Sequence, residues 1–234
     1  MELGADIALI AGLIGEPARA AILVALVDGA LSAGELAFIG NIAPQTASFH
    51  LRKLMEASLI AVEKQGKHSY YRLANDSVAS ALESLAALAP IRERVTSCTS
   101  RRESELIKDL RFARSCYKHL AGRLAVEIHQ ALRGRGFLVA GVERTYHLTD
   151  PGQKWWLEFG MTLPASAGSR EFSSRACIDW TERRHHLGGA LGAALFSRLM
   201  QLRWIATNSA NRSVRVTHLG ALELERSLGI TVWR

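Results

Sequence analysis

The sequence is poor in cysteine and has no long hydrophobic run. Its 234 residues include three cysteines, Cys98, Cys116 and Cys177, and this odd, sparse set excludes a framework of disulfides. The three thiols are then buried core side chains, reactive groups or metal ligands. No stretch of about 18 apolar residues is free of charge, and an N-terminus with Glu2 and Asp6 is not that of a signal peptide. We therefore expect a cytoplasmic protein without a membrane-spanning segment.

The motifs of common enzyme sites are missing as well. The sequence has no Ser-His-Asp order, no Walker lysine and no HExxH motif. A glycine-rich stretch at residues 188–192 lacks a preceding strand pattern, since residues 181–186 are polar and charged. Small residues that let helices approach closely explain this stretch better than a phosphate-binding loop. These absences predict a protein that is not an enzyme.

The positive charge of the chain is unevenly distributed. The net charge is +7, yet residues 1–90 carry six Lys and Arg against nine Asp and Glu, and the remainder carries +10. Overall basicity is therefore no argument for DNA binding. Within residues 52–72, however, five cations accompany two acidic side chains. This local cluster is what contacts to phosphate require.

One stretch has the pattern of a recognition helix followed by a β-hairpin. Residues 31–37 fit a short helix, and residues 39–42 fit the turn into a second one. Polar groups alternate with apolar ones over residues 43–59, as in a helix that packs on a core and also contacts DNA. Residues 60–73 fit a two-stranded wing with a basic tip. The apolar positions of the second helix are Phe49, Leu51, Leu54 and Leu59.

This pattern predicts which side chains contact double-stranded DNA. The polar face of the second helix should lie in the major groove, and cations of the helix and the wing should lie on the phosphates. The predicted DNA-binding residues are Gln45, Thr46, Ser48, His50, Arg52, Lys53, Lys67 and His68. Lys64 also belongs to the basic wing.

Residues 1–90 resemble the winged-helix regulators of the arsenic-repressor (ArsR) family. The resemblance rests on four motifs in order and spacing, which are Glu35-Leu-Ala, Thr46-Ala-Ser-Phe-His-Leu-Arg-Lys-Leu54, Ala57-Ser-Leu-Ile60 and Gly66-Lys-His-Ser-Tyr-Tyr-Arg-Leu73. It implies a homodimeric repressor that leaves its DNA operator when an effector binds. It also implies that the first and last helices of the winged helix pair across a twofold axis. An apolar stripe suited to that pairing is Val78, Leu82, Leu85 and Leu88.

The metal sites usual in that family are absent from this sequence. One site would place thiolates just after residue 36, where the chain has Ala37, Phe38 and Ile39. The other would use carboxylates and imidazoles of the last helix, but residues 76–90 hold one Asp, one Glu and no His. Effector sensing is therefore expected in the rest of the chain.

The rest of the chain contains an internal repeat. His119-Leu-Ala-Gly-Arg-Leu matches His186-Leu-Gly-Gly-Ala-Leu at an offset of 67 residues, and Arg114-Ser-Cys matches Arg175-Ala-Cys further upstream. Each copy is predicted to form a long helix, two short strands and a second helix, like the back half of a winged helix. We expect the two copies to pack around a pseudo-twofold axis.

Equivalent junctions of the two copies carry residues for an effector site. Cys116 and His119 are three residues apart, which predicts one helical face. If the junctions meet, they can hold a thiophilic or borderline metal ion. The candidate ligands are Cys116, His119, Cys177 and His185, and the candidate effector-binding residues are Cys116, His119, Trp180, Arg184 and His186. A pocket for an organic effector among the tryptophans, or purely structural roles, are the alternatives.

The sequence thus predicts a mainly α protein with small β-hairpins (α+β). An N-terminal winged helix-turn-helix for DNA binding and dimerisation (1–90) is followed by a linker (91–104) and a sensory domain of two winged-helix-like repeats (105–234, repeats 114–161 and 175–230). The predicted function is a homodimeric transcriptional repressor released from its operator by an effector of unknown identity. Two alternatives stay open: a cysteine/histidine-dependent enzyme that uses the winged helix only for dimerisation, and an effector-independent DNA-binding protein.

Overall fold

The structure, a computed structural model, describes residues 6–27, 29–65, 68–89, 101–142, 144–162, 173–208 and 211–232. The chain divides into two compact units, Met1–Leu82 and Glu83–Arg234. Among the described helices, none by itself has the length and apolar character needed to cross a membrane. The helices Ile7–Ile14 and Pro17–Ala25, bent by 86°, meet that test together by length and composition alone.

The first unit consists of helices and one small antiparallel sheet. Its elements are α1 (Ile7–Ile14), α2 (Pro17–Ala25), β1 (Leu31–Ser32), α3 (Ala33–Ile39), α4 (Pro44–Glu56), β2 (Ile60–Gln65) and β3 (His68–Leu73). The strands lie in the order β1-β3-β2. The next helix, α5 (Asp76–Leu88), begins in the first unit and ends in the second.

Local sequence sets where these helices begin. Pro17 occupies the first turn of α2, and the Glu16 carboxylate accepts hydrogen bonds from two backbone N–H groups of that turn. α3 begins with a capping box, in which the Ser32 hydroxyl and the Glu35 carboxylate each accept from the other residue's backbone N–H. Leu31, predicted in this helix, lies instead in strand β1.

The remaining elements of this unit complete a winged helix. The chain leaves α3 through Gly40 and Asn41, whose φ of 51° lies in the left-handed region, and Pro44 begins α4. β2 and β3 then form a hairpin that pairs Gln65 with His68 at its tip. Helix, turn, helix and β-wing follow one another as the sequence predicts, so this part of the predicted fold is confirmed.

The second unit contains the same series of elements twice. After α6 (Arg101–Phe112), the first copy comprises β4 (Arg114–Cys116), β5 (His119–Ala121), α7 (Arg123–Gly134), β6 (Leu138–Ala140), β7 (Thr145–Leu148) and α8 (Asp150–Glu158). The second copy comprises β8 (Ser173–Ile178), β9 (His185–Leu187), α9 (Gly189–Gln201), β10 (Ile205–Thr207), β11 (Val214–Val216) and α10 (His218–Leu228). Both copies thus follow one order of elements, in which a hairpin precedes the predicted long helix, two strands and last helix.

The two copies share a sheet and a core. β6, β7, β8 and β9 form one four-stranded sheet, in which Thr145 of the first copy pairs with Arg175 of the second. β4-β5 and β10-β11 form two-stranded sheets. Apolar side chains of both copies pack into a single buried cluster, which includes Leu124, Ile128, Leu132, Trp156, Leu191, Leu199, Trp204 and Leu224.

Two parts of the second unit differ from the sequence prediction. Cys116 and His119 lie in a β-hairpin and not on one face of a helix, because α6 stops at Phe112 and Tyr117 adopts a φ of 55° in the two-residue turn. Each copy therefore begins with a hairpin that the helical pattern did not reveal. Of the predicted linker, residues 101–104 belong to α6, and residues 91–100 lie outside the described part of the chain.

Candidate DNA-binding surface and metal centre

The helix α4 has one buried face and one exposed face. Four side chains spaced three or four residues apart are buried on one side, namely Ala47, His50, Leu51 and Leu54. The other side is exposed and carries hydroxyl, amide and cationic groups, namely Gln45, Thr46, Ser48, Arg52 and Lys53. These five predicted DNA-binding residues are thus brought together on one accessible surface.

His50 does not lie on that surface, contrary to the prediction. Its exposed fraction is 8%, and its Nδ1 lies 3.2 Å from Arg19 Nη1 while its Nε2 lies 3.7 Å from Glu16 Oε2. Arg19 also donates hydrogen bonds to the carbonyls of Gly12 and Leu13. His50 therefore holds the recognition helix against the preceding helices and is not available to a base.

Phe49 also differs from the prediction, since half of its surface is exposed. Lys53 Nζ lies 4.6 Å from the centroid of its ring, a cation–π contact along α4. In the wing, Lys64 is exposed. Lys67 lies outside the described residues, and only the backbone of His68 is described. The roles of Lys67 and His68 stay predictions.

The apolar stripe of α5 is only partly accessible. Leu82 is buried within the chain at 8% exposure, whereas Leu85 and Leu88 are 46% and 82% exposed. The helix α1 has no buried residue at all, and Ile7 is 75% exposed. Two apolar surfaces of the kind that a second subunit covers therefore exist on these helices.

The first hairpins of the two copies each pair a cysteine with a histidine. Cys116 lies opposite His119 in β4-β5, and Cys177 lies opposite His186 in β8-β9. Directly opposed residues of an antiparallel pair have their side chains on the same face of the sheet. Each hairpin therefore presents one thiol and one imidazole together. The structure places equivalent residues of the two copies in equivalent positions.

These four side chains meet in one cluster, hereafter the Cys2His2 cluster. The Sγ atoms of Cys116 and Cys177 lie 4.0 Å apart, and the Nε2 atoms of His119 and His186 lie 3.1 Å apart. One ligand atom from each of the four residues lies within 4.8 Å of the other three. His186 is fully buried, and Cys116 is 1% exposed.

His185, a predicted ligand, is not part of the cluster, and His186 takes that place. Successive side chains of a strand point to opposite faces, so only one of the two adjacent histidines in β9 can face β5. His185 lies half-buried, and its backbone is hydrogen-bonded to His129. Arg184, a predicted effector residue, is exposed.

A buried ion pair lies beside the cluster and joins the two copies. Arg114 Nη2 lies 2.8 Å from Asp179 Oδ2, and both side chains are fully buried. The same carboxylate oxygen accepts a hydrogen bond from the Gly122 backbone N–H, just before α7. The Arg114 guanidinium lies 4.7 Å from the Trp180 ring centroid, so that predicted effector residue covers the ion pair.

Asp179 belongs to the six extra residues of the second hairpin. Cys116 and His119 are separated by two residues and Cys177 and His186 by eight. Burial raises the pKa of Asp179, but the Arg114 charge and hydrogen bonds from neighbouring donors outweigh burial and hold that pKa below its ordinary value. The longer loop thus supplies a carboxylate, in its ionised form, that fixes the first copy to the second.

The two thiols of the cluster differ in acidity. The hydrogen bond with Cys116 holds the pKa of Cys177 far below that of a free thiol, against the effect of burial, and hydrogen bonds with His119 and His186 lower it further. The same thiol–thiol hydrogen bond, burial and the nearby Glu83 carboxylate raise the pKa of Cys116. The thiolate is the form that binds soft and borderline metals.

Glu83 is a site residue that sequence reasoning missed. It lies in the part of α5 that belongs to the second unit, beside Cys116, and it is 5% exposed. Its Oε2 and His186 Nδ1 are buried without a hydrogen-bond partner among the described residues. No motif marks Glu83, since a single acidic residue on a helix is usually solvated.

Three tryptophans of the second unit, Trp155, Trp156 and Trp204, belong to its apolar core. Trp156 is fully buried, and Trp155 stacks between Phe137 and Phe159 with ring centroids 5.3 and 5.0 Å away. A cleft of about 960 Å³ does open between α6, β10 and β11, and its lining includes no tryptophan. This cleft is therefore not the tryptophan-lined effector pocket that the sequence suggested as an alternative.

A helix-turn-helix with a basic wing and an exposed polar recognition face defines a winged-helix DNA-binding protein. Residues 14–63 match the family described as "Helix-turn-helix domain". The HTH-type transcriptional regulator YdfF of Bacillus subtilis (strain 168) is 42% identical over 228 residues, which cover 97% of this chain and 99% of YdfF. The chain belongs to the HTH-type transcriptional regulators, and its N-terminal part is a winged helix.

Shorter relatives match the winged helix alone. The Biofilm growth-associated repressor of Agrobacterium fabrum (strain C58 / ATCC 33970) is 32% identical over 83 residues, or 36% of this chain and 71% of the repressor. The crystal structure of the transcriptional repressor BigR from Xylella fastidiosa is 25% identical and covers 37% of this chain and 89% of its own, with a TM-score of 0.34.

Proposed function

We propose that this regulator is a homodimeric repressor that binds a palindromic DNA operator and releases it when an effector binds the second unit. The observation that carries the proposal is the exposed face of α4, where hydroxyl, amide and cationic side chains lie together. Such groups suit base edges in the major groove, and cations suit phosphates. A repressor among the relatives supports repression, as opposed to activation, of the regulated genes.

The exposed apolar side chains of α1 and α5 support the dimer. Ile7 and Leu9 on α1 and Leu85 and Leu88 on α5 are between 46% and 82% exposed. Covering such side chains is favourable by about 25 cal/mol for each Å² of apolar surface. A twofold dimer presents two recognition helices to two half-sites, and this geometry predicts a palindromic operator.

The Cys2His2 cluster supports the choice of the second unit for the effector. In α3, the positions after residue 36 are Ala37, Phe38 and Ile39, which have no metal-binding atoms. The cluster instead brings four metal-binding side chains together where the two copies meet. An effector held there contacts both copies at once.

Burial argues against Cys116 as the nucleophile of an enzyme, whereas Cys177 is half-buried. A nucleophile must reach its substrate, yet Cys116 is 1% exposed and the neighbouring His186 is fully buried. Exposed cations on the wing and α4 would also have no purpose in a domain used only for dimerisation. The effector-independent alternative predicts that no metal or small molecule changes operator affinity.

Fluorescence anisotropy with the DNA upstream of the protein's own reading frame tests DNA binding. We expect specific binding that weakens steeply with salt, and a loss of affinity in Arg52→Ala. Lys154→Ala removes a cation that pairs with Glu158 on α8 and should leave binding unchanged. Equal affinity for this DNA and for random sequence would contradict the proposal.

A further inference from the structure

We propose that the Cys2His2 cluster binds one zinc-class divalent cation in a tetrahedral S2N2 site, and that this cation is the effector of the regulator. The second part of the inference rests on the function proposed above. The site comprises Cys116 and His119 of the first copy and Cys177 and His186 of the second. No single hairpin holds more than two of the four ligands.

The separation of the two sulfurs and that of the two Nε2 atoms are close to those of a tetrahedral zinc centre. With Zn–S bonds of about 2.3 Å and Zn–N bonds of about 2.0 Å, tetrahedral geometry separates two sulfurs by about 3.8 Å and two nitrogens by about 3.3 Å. The observed separations are 4.0 Å for the sulfurs and 3.1 Å for the Nε2 atoms. These two separations are within a few tenths of an ångström of the tetrahedral values. Separations within the cluster reach up to 4.8 Å, and a sulfur–nitrogen pair that far apart must approach by about 1 Å when an ion binds, since such a pair lies about 3.5 Å apart in tetrahedral zinc.

The chemistry of the four ligands selects the class of cation. Two thiolates and two imidazoles in tetrahedral arrangement suit zinc and its congener cadmium, whereas magnesium and calcium require oxygen ligands. Two thiolates also neutralise a doubly charged ion, so the loaded centre carries no net charge. Neutrality matters here because three of the four ligands are buried and Cys177 is half-buried, and an unpaired buried charge is costly.

The surroundings hold the ligands in place without the ion. The Arg114–Asp179 pair ties the first hairpin to the loop of the second, and Asp179 also accepts from the Gly122 N–H. Gly192 of α9 packs against His119, where a Cβ would lie 3.1 Å from the His119 Cβ. These contacts fix the positions of the two hairpins that carry the ligands.

The helix α5 gives the centre a route to the winged helix. Glu83 of α5 lies beside Cys116 with its Oε2 buried and unpartnered among the described residues. Arg183, in the loop that follows Asp179, donates a hydrogen bond of 2.7 Å to the Ala89 carbonyl just after α5. The charge of a bound cation changes the electrostatic environment of Glu83 directly. Since α5 begins in the first unit, any shift of this helix alters the surface proposed for dimerisation.

Metal binding is tested on the chelated, reduced full-length chain. Zinc chloride is added, unbound metal is removed, and the zinc retained per chain is measured. Cobalt chloride is used in a parallel titration, because tetrahedral cobalt with thiolate ligands has strong visible and near-ultraviolet absorption. We expect one ion per chain. Cys116→Ser, Cys177→Ser, His119→Gln and His186→Gln should each weaken binding by at least tenfold. Cys98→Ser and His185→Gln are the matched controls and should retain it.

Operator affinity is measured by anisotropy on the same samples at one ionic strength. We expect zinc to weaken operator binding by about 5- to 150-fold in the wild type and the two controls, and to have no effect in the four ligand variants. Circular dichroism of each metal-free variant shows that it is folded, and the His→Gln variants keep the test valid if a Cys→Ser variant unfolds.

Three results would overturn the inference. Failure of the wild type to retain zinc or develop the cobalt spectrum removes the site, while salt-dependent operator binding would still support the DNA-binding function. Retention in the ligand variants places the ion elsewhere. Stoichiometric zinc with unchanged operator affinity makes the centre a fixed part of the fold and not an effector site. Absence of operator binding in both metal-free and loaded protein would instead contradict the proposed function itself.

Discussion

His119 and His186 face each other through Nε2 atoms 3.1 Å apart, although 67 residues separate them in the sequence. Each is the equivalent of the other in the two copies of the repeat. A residue that contacts its own equivalent lies at the axis relating two copies. The Cys2His2 cluster therefore lies where a change in the angle between the copies has to move its ligands relative to one another.

Lys64 in the wing should contact a phosphate, because it is exposed beside the hairpin tip. Lys64→Ala is expected to weaken binding to all DNA sequences alike and to lower the slope of log affinity against log salt by about one. The slope is measured by anisotropy between low and physiological salt. A slope equal to that of the wild type would remove Lys64 from the interface.

Ser48 should contribute to the choice of sequence. It is exposed on α4, and its hydroxyl donates 3.0 Å to the Pro44 carbonyl, which leaves its lone pairs for a base donor. Ser48→Ala should reduce discrimination against one operator base pair by about 1–3 kcal/mol. Competition with single-base operator variants measures this effect. Arg52→Ala is the comparison, since loss of a phosphate contact weakens all sequences equally.

Leu88 should lie between subunits. At 82% exposure it has little role inside the chain, so Leu88→Asp should leave the monomer folded, shift the dimer to monomer and weaken operator binding in parallel. Sedimentation velocity at micromolar concentration measures the change. Leu157→Asp, at an exposed leucine of α8, is the control that should remain dimeric. If both variants sediment like the wild type, another surface holds the dimer.

Asp179 should stabilise the second unit strongly. Asp179→Asn leaves the Arg114 guanidinium buried without a counter-charge, and breaking a buried pair in this way costs about 3–5 kcal/mol in the free energy of unfolding. Urea denaturation measures the loss. Glu158→Gln breaks the exposed pair with Lys154 and should cost less than about 1 kcal/mol. Similar losses in the free energy of unfolding for the two variants would show that the buried pair stabilises the protein no more than the exposed pair.

Glu83 should act in the response and not in metal binding. Glu83→Gln keeps the size of the side chain but removes the charge beside Cys116. We expect it to bind zinc with little change and to reduce the effect of zinc on operator affinity. Zinc titration and operator anisotropy on the same protein separate the two quantities. Glu158→Gln serves as control. An undiminished operator response in Glu83→Gln would show that the signal takes another route.

The sequence predicted the winged helix and the repeat because both leave periodic signals. The spacing of apolar residues marks α4, and the turn residues around Gly66 mark the wing. The repeat is visible because equivalent residues of the two copies are identical or similar in the same order, with six extra residues in the second hairpin. These signals depend on order along the chain, which a single sequence contains in full.

The errors arise where contacts distant in sequence decide the structure. His50 lies on the buried stripe of α4, but only the positions of Glu16 and Arg19 show that a histidine is satisfied there. A three-residue Cys-to-His spacing fits a helix as well as a tight hairpin, and the positive φ of Tyr117 decides for the hairpin. Because the first copy forms a hairpin here, Cys116 and His119 lie on one of its faces and meet Cys177 and His186 of the second hairpin. Glu83 becomes a site residue only through its packing beside Cys116.

The zinc affinity of the reduced chain, determined by competition with a chelator in the presence and absence of operator DNA, shows whether the zinc and operator sites are coupled. Coupling between two binding sites is reciprocal, so the factor by which the operator weakens zinc binding must equal the factor by which zinc weakens operator binding. We predict the same factor, about 5- to 150-fold, in both directions, and its loss in Cys177→Ser. Zinc affinity that is unchanged by saturating operator DNA would show that zinc is not the effector.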